Sequence, residues 1–217
     1  MDRFLATLTD NWGLFLGAFG MTLQLFVVSA VGAVVLGTVL AAFRVAPSGA
    51  LRVFGGTYVT LLRNTPLTLI FVFVTFGFPY LQIDFSYYTF AVTALTVYTA
   101  AFVCEAVRSG INTVPGGQAE AARAIGMGFG QTLSLVVLPQ AFRAVVPPLA
   151  SILIALLKNS TIASGFGVVE AGAIGANLSE LGYRQFDGLL WVIVGFLLLI
   201  LPMSAAQRHL ERRWKVA

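Results

Sequence analysis

Two short polar blocks interrupt an apolar chain: Arg63-Asn64-Thr65-Pro66 and Lys158-Asn159-Ser160-Thr161. Each sets one cation beside amide and hydroxyl side chains. Such a set can hold a carboxylate, because the cation supplies charge and its neighbours supply directed hydrogen bonds. It is poorly suited to covalent chemistry. The chain has one histidine, His209, and one cysteine, Cys104. That inventory offers no catalytic residues: no acid–base pair, no histidine-based triad, no cysteine cluster for a metal and no intrachain disulfide. No Gly-Lys dipeptide occurs, so there is no Walker-type phosphate loop. The expectation is a chain that binds no cofactor. Any nucleotide energy it uses comes from another chain.

A membrane-spanning framework must position these blocks. The 217 residues are 58% hydrophobic and 10% charged, with a mean hydropathy of +0.89, whereas a soluble domain carries about 25% charged residues. The natural solvent is therefore the lipid bilayer. Five stretches reach the roughly 20 apolar residues needed to cross it: 15–43, 53–80, 87–107, 145–163 and 189–206. Pro66 lies inside the second and frees a backbone carbonyl one turn earlier. Pro147-Pro148 suit the start of the fourth. The start, MDRFLATLTDNWG, does not read as a cleaved signal peptide. One all-α transmembrane domain over residues 1–217 is expected.

Charge gives the orientation. With the N-terminus outside, inner segments hold Arg44, Arg52, Arg108, Arg123, Arg143, Arg208, Arg212, Arg213 and Lys215, and outer segments only Arg3 and Arg184. This satisfies the positive-inside bias and puts the C-terminus in the cytoplasm, with Trp214 at the headgroups. The net charge of +4 then marks topology and implies no nucleic-acid partner. Arg63 and Lys158 each follow an inner boundary, Arg52 and Pro147, by eleven residues, or ~16 Å of helix. A cation at that depth faces protein or water. Arg63 either makes a structural ion pair, caps the carbonyls near Pro66, or lines a substrate path with Thr65, Lys158, Asn159, Ser160 and Thr161. The expected spans contain no mid-membrane acid for a proton relay. Glu105 and Arg108 read as a helix-surface pair. Gly13 and Gly17 read as a small-residue contact between helices. Glu170 and Glu180, in an outer segment over 165–187, read as solvated or as facing a soluble partner.

Residues 109–144 form the long cytoplasmic connection. Pro115 can start a helix, Gln118–Ile125 is alanine-rich, and Gly126 is a natural stop. Gly128 and Gly130 continue a turn, and Gln131–Leu138 reads as a second short helix ended by Pro139. Ala119, Ala122 and Gly126 share one face, open to close approach. Ile125, Met127 and Phe129 are candidate apolar knobs.

"GQAEAARAIGM" together with "VVLPQAFRAVVPPL" resembles the EAA-loop signature of permease subunits of bacterial ABC importers, and more narrowly of the polar amino-acid permease family. "YVTLLRNTPL", "LLKNST" and "LERRW" extend the resemblance over most of the chain, in the family's order. The resemblance implies a type I importer permease fold with five transmembrane helices and a cytoplasmic coupling helix. It implies that Gly117, Glu120, Ala121, Ala122, Arg123, Ile125, Gly126 and Met127 dock on a cytoplasmic ABC ATPase dimer, which binds ATP and magnesium. It also implies a second permease chain, identical or sister, an extracytoplasmic amino-acid-binding protein and a place in the bacterial cytoplasmic membrane. The two deep cations lean the substrate toward glutamate or glutamine. The competing expectation is a stand-alone channel or ion-coupled carrier. Three positions depart from the family pattern: Phe102 stands where tyrosine is frequent, Ile70 where glutamine is, and Asn159 where aspartate is.

Overall fold

The computed structural model describes residues 2–213. Trp214 and Lys215, assigned above to the inner surface, lie outside the described residues. Every described element is helical: α1 (Asp2–Thr9) and α2 (Trp12–Val45), α3 (Gly49–Arg63) and α4 (Leu67–Tyr80), α5 (Tyr87–Asn112), α6 (Gly116–Ala124), α7 (Phe129–Phe166), α8 (Ile174–Glu180) and α9 (Gln185–Arg213). Four of these, α2, α5, α7 and α9, are long and apolar enough to cross a membrane, and α3 with α4 makes a fifth, broken candidate.

Helix α2 is apolar all round, so its packing face is selected by side-chain size. Its buried residues include Phe15, Ala18, Thr22, Leu25, Ser29, Ala33, Gly37 and Leu40, a stripe at three- and four-residue spacing. The C-terminal half of that stripe is mostly small, with Ser29, Ala33, Gly37 and Ala41. It meets a second small-residue face on α5, where Ala91, Ala94, Ala100, Ala101 and Cys104 are buried. A Cβ on Gly37 would lie 2.6 Å from the Val103 Cβ and 2.8 Å from the Ala100 carbonyl oxygen. The backbones approach closely because neither face has bulk to hold them apart. Gly110 repeats the device between α5 and α7, where an added Cβ would collide with Val145 and lie 3.2 Å from the Ala141 oxygen. Gly13 and Gly17 have no neighbour within 4 Å of an added Cβ, so the expected helix contact there is not made within this chain.

The stretch expected as one span over 53–80 is two helices meeting at 104°. Pro66 cannot donate to the helix and restricts the residue before it, so α3 ends at Arg63. Two carbonyls in the last turn of α3 accept side-chain bonds from the residues of the break. Asn64 Nδ2 donates to the Thr60 oxygen at 2.7 Å, and Thr65 Oγ1 donates to the Leu61 oxygen at 2.8 Å. Neither of these bonds comes from Arg63.

A second correction concerns α7. Pro147 and Pro148 do not start it, and Pro139 does not end a separate helix. One helical run passes through all three from Phe129 to Phe166. A wide π-type turn over Thr132–Val137 precedes Pro139, and such a turn relieves the clash between a proline ring and the preceding carbonyls. Gln140 Nε2 donates to the Val136 oxygen at 2.9 Å and supplies one of the missing bonds. At its far end α7 tightens into a 3-10 turn over Ser160–Phe166 and stops at Gly167, whose φ is +86°.

The segment over 165–187, expected on the outer side, is folded onto the bundle. Ile174 and Leu178 of α8 pack with Phe15 and Ala18 of α2 and Val192 of α9. Glu170 is 0% exposed, which corrects the solvated reading. Its carboxylate accepts from Thr22 Oγ1 at 2.9 Å and from the Gly172 N–H at 2.7 Å. The same Thr22 hydroxyl accepts from the Ala171 N–H at 3.0 Å. A hydroxyl in the middle of an apolar helix thus pins the turn after α7 to α2.

Charges organise the other end. Glu105 accepts from Arg44 Nη1 through one oxygen and from Arg108 Nη2 through the other, the latter at 3.0 Å. The expected surface pair is thus a three-residue cluster joining α2 to α5. Replacing Glu105 by alanine leaves two cations side by side. These side chains are 20–33% exposed, so solvent softens the penalty to about 2 kcal/mol. The expected result is a lower melting temperature in detergent, by several degrees. Arg44→Ala should cost less, because Glu105 keeps Arg108.

Candidate translocation pathway and coupling segment

Arg63 ends α3 at the break and is exposed, with its guanidinium over the Phe102 ring of α5, 5.5 Å from the centroid. That is cation–π distance. Arg63 also lines a cavity of about 450 Å3 with Glu105, Ser109, Thr113 and Ser151. A smaller cavity of about 140 Å3 lies between α5 and α7, lined by Tyr98, Thr99, Asn159 and Ala155. Phe102 and Ile152 belong to both. Two expected pathway residues, Arg63 and Asn159, thus come to two cavities that meet at one aromatic ring.

The other four are placed differently. Thr65 lines a separate apolar groove of about 460 Å3 with Leu69, Ile70 and Phe73, and its hydroxyl is held by the Leu61 carbonyl. Ser160 is buried and donates to the Leu157 oxygen at 2.7 Å. Thr161 donates to the Lys158 oxygen at 2.8 Å. Both hydroxyls are occupied by the tightening of α7 into its 3-10 turn. Lys158 is exposed at that junction and lines neither cavity that meets at Phe102.

Sequence reasoning passed over Tyr98, Thr99, Ser151 and the pathway side of Glu105. A signal was present. Tyr98, Phe102, Glu105 and Ser109 recur at four, three and four residues, one face of a helix. On an otherwise apolar span, that polar-aromatic stripe marks the wall of a cavity.

The candidate coupling segment is built by its terminators. Pro115 precedes α6 with φ −61° and ψ 134°, an extended conformation that ends α5 and begins a new helix. The exit is a Schellman arrangement. The Met127 N–H donates to the Ala122 oxygen at 3.1 Å and the Gly126 N–H to the Arg123 oxygen at 3.0 Å. Gly126 takes φ +88°, which costs a glycine little. Gln131 Oε1 then accepts from the Gly128 N–H at 3.0 Å. Ala122 is the buried member of α6, whereas Gly117, Glu120, Ala121 and Arg123 are exposed. Ile125 is 80% exposed and Phe129 70%, and Met127 lies half-buried between them. Among the described residues, neither Glu120 nor Arg123 forms an ion pair. The short helix is thus followed directly by an exposed apolar patch at Ile125 and Phe129.

Comparison with known proteins agrees with this geometry. The family model described as "Binding-protein-dependent transport system inner membrane component" matches residues 33–216. The chain is 41% identical to the glutamate transport system permease protein GluC of Corynebacterium glutamicum, covering 93% of this chain and 94% of that protein. It is 34% identical to the probable glutamine ABC transporter permease protein GlnM of Bacillus subtilis, covering 95% of each. Its fold is similar to that of a crystallised amino acid ABC transporter with histidines, with a TM-score of 0.90 at 27% identity, over 97% of this chain and 98% of the other. The chain therefore belongs to the family of inner membrane components of binding-protein-dependent transport systems.

Proposed function

We infer that this multi-pass membrane chain is the permease subunit of an ATP-driven importer carrying glutamate or glutamine into a bacterial cell. As a member of a transport-component family it is a transport subunit and not an enzyme. The observation that carries the reading is α6, a rigid nine-residue helix set between α5 and α7 and followed by the exposed side chains of Ile125 and Phe129. A push on it tilts two spans that wall the cavities. In this reading a cytoplasmic ATPase dimer binds ATP and magnesium and grips Gly117–Met127. A second permease chain completes the path, and an extracytoplasmic binding protein delivers the amino acid. The excess of arginine on one side supports an external N-terminus and a cytoplasmic C-terminus.

Affinity purification of the tagged chain tests the reading. A nucleotide-hydrolysing partner should co-purify with wild type and fall at least tenfold in Glu120→Lys and Gly126→Trp. The first reverses an exposed charge. The second forces a bulky residue into a backbone conformation at φ +88° that it tolerates poorly. Substrate flux through the chain alone in liposomes, with no ATPase present, is the result that would replace this reading by a channel or carrier.

Lys158 gives a second test. Exposed beside Asn159, it is positioned to attract a carboxylate approaching the smaller cavity. Lys158→Ala should lower uptake about tenfold, a loss of about 1.4 kcal/mol, while the ATPase still co-purifies. Unchanged uptake kinetics would remove Lys158 from the pathway.

A further inference from the structure

The ring of Phe102 has an unusual position. It is the aromatic wall common to both cavities, and it is gripped from two directions. Tyr98, one turn earlier on α5, packs against it with ring centroids 5.0 Å apart. Arg63 lies over it at 5.5 Å. The cavity on the Arg63 side also contains a carboxylate, Glu105, yet that carboxylate is committed to Arg44 and Arg108. Arg63 makes no ion pair among the described residues. It is a guanidinium whose partner is an uncharged ring. A carboxylate binds a guanidinium through two parallel hydrogen bonds and outcompetes an aromatic face.

We propose that Phe102 is the gate between the two cavities, and that Arg63 latches it shut until an anionic amino acid takes the guanidinium from the ring. The proposal rests on the permease function inferred above and adds to it a specificity-determining pair. With no substrate carboxylate present, Tyr98 and Arg63 hold the ring across the passage. A substrate with a side-chain carboxylate can offer that group to Arg63 and keep its α-carboxylate for Asn159 and its neighbours. The ring then has only Tyr98 to hold it and can rotate aside. A neutral amino acid has one carboxylate for both tasks, so it opens the gate less often. Phenylalanine suits this role because it has no hydroxyl through which to bond a passing neutral substrate.

The test uses the chain co-purified with its ATPase in proteoliposomes, with the same binding protein throughout, so that the binding protein's own selectivity cancels in each comparison with wild type. Two quantities are read: ATP-independent efflux of trapped labelled glutamate, and the ratio of ATP-driven glutamate to glutamine uptake. Phe102→Ala should raise the leak at least tenfold. Phe102→Leu keeps apolar bulk and therefore the seal, but it removes the π face, and the uptake ratio should fall about fivefold, the size of an exposed to partly buried cation–π contact. Arg63→Ala should lower the ratio equally, and the double variant no further, since both act through one contact. Should Phe102→Ala fail to assemble, the leucine and Arg63 variants still decide the matter. Wild-type uptake with an unchanged ratio in both variants overturns the gate and leaves the permease standing. A wild type with no preference for glutamate over glutamine does the same. No ATP-driven uptake of either amino acid by wild type removes the permease reading and the gate together.

Discussion

Gly37→Leu is expected to abolish accumulation of folded protein. The first added carbon would already sit 2.6 Å from the Val103 Cβ and 2.8 Å from the Ala100 carbonyl oxygen, and the oxygen is part of a helix backbone that cannot step aside. Three further carbons have nowhere to go, because this face of α2 is sealed by α5. Overpacking in a closed core costs about 1–3 kcal/mol for modest additions, and more where backbone must move. A loss of at least about 3 kcal/mol is expected here, against a typical total of about 5–15. Size-exclusion chromatography in detergent reads the outcome as loss of the monodisperse peak. Gly13→Leu is the internal control. An added Cβ there meets nothing within 4 Å, and its effect on the isolated chain should stay within about 0.5 kcal/mol. Equal behaviour of the two variants would contradict the packing of α2 on α5.

Glu170→Leu is the second large effect. The carboxylate is buried and accepts from the Thr22 hydroxyl and the Gly172 N–H. Leucine leaves that part-buried N–H without its acceptor and places branched carbons in a turn already crowded by Ser164 and the Thr161 carbonyl. Each orphaned group costs about 1–3 kcal/mol, so about 3 kcal/mol is expected in total. Glu170→Gln keeps the shape and one acceptor oxygen, and should cost about 1 kcal/mol. Burial raises the Glu170 carboxyl above its usual range, and hydrogen bonds from Thr22, Gly172 and Ala171 offset part of that rise. A carboxyl whose pKa is higher folded than unfolded gives most stability at low pH. It loses that contribution as pH rises from the ordinary carboxylate range through its raised value. Wild type should therefore melt at a higher temperature at pH 4 than at pH 7 through this group, and Glu170→Gln should flatten that part of the profile. The same melting temperature for wild type and Glu170→Leu would show that the turn after α7 is not held this way.

The parts legible in the sequence are those decided locally. Helix α6 is bounded by Pro115 and Gly126, and both act on their own backbone, so its limits are readable without knowing what surrounds it. What could not be read depended on distant partners. Glu170 looks like a solvent-facing acid until Thr22, 148 residues away in the chain, is brought beside it. Glu105 looks like half of a local pair until Arg44, 61 residues earlier, arrives. Pro147-Pro148 look like a helix start because local rules favour that position. The bundle overrides them by packing α7 as one rod against α5 and α9. At the candidate site the cations were conspicuous by their cost, whereas Phe102 was noticed only as a departure from a family pattern. Its importance lies in where Arg63 and Tyr98 meet it, and that is a tertiary fact.

The contact at Gly110 has a mechanical consequence. Helices α5 and α7 flank the segment over 116–124, and at Gly110 only the stiff, β-branched side chain of Val145 stands between them, resting on the glycine beside the Ala141 carbonyl. A linkage loses stroke wherever a joint has backlash, and a layer of flexible side chains at this joint would absorb part of every displacement. Here there is no such layer, so both rods travel together from the first ångström. A bulkier residue at 110 would prise them apart and introduce play. Such a machine would still cycle, but it would consume more nucleotide for each molecule carried.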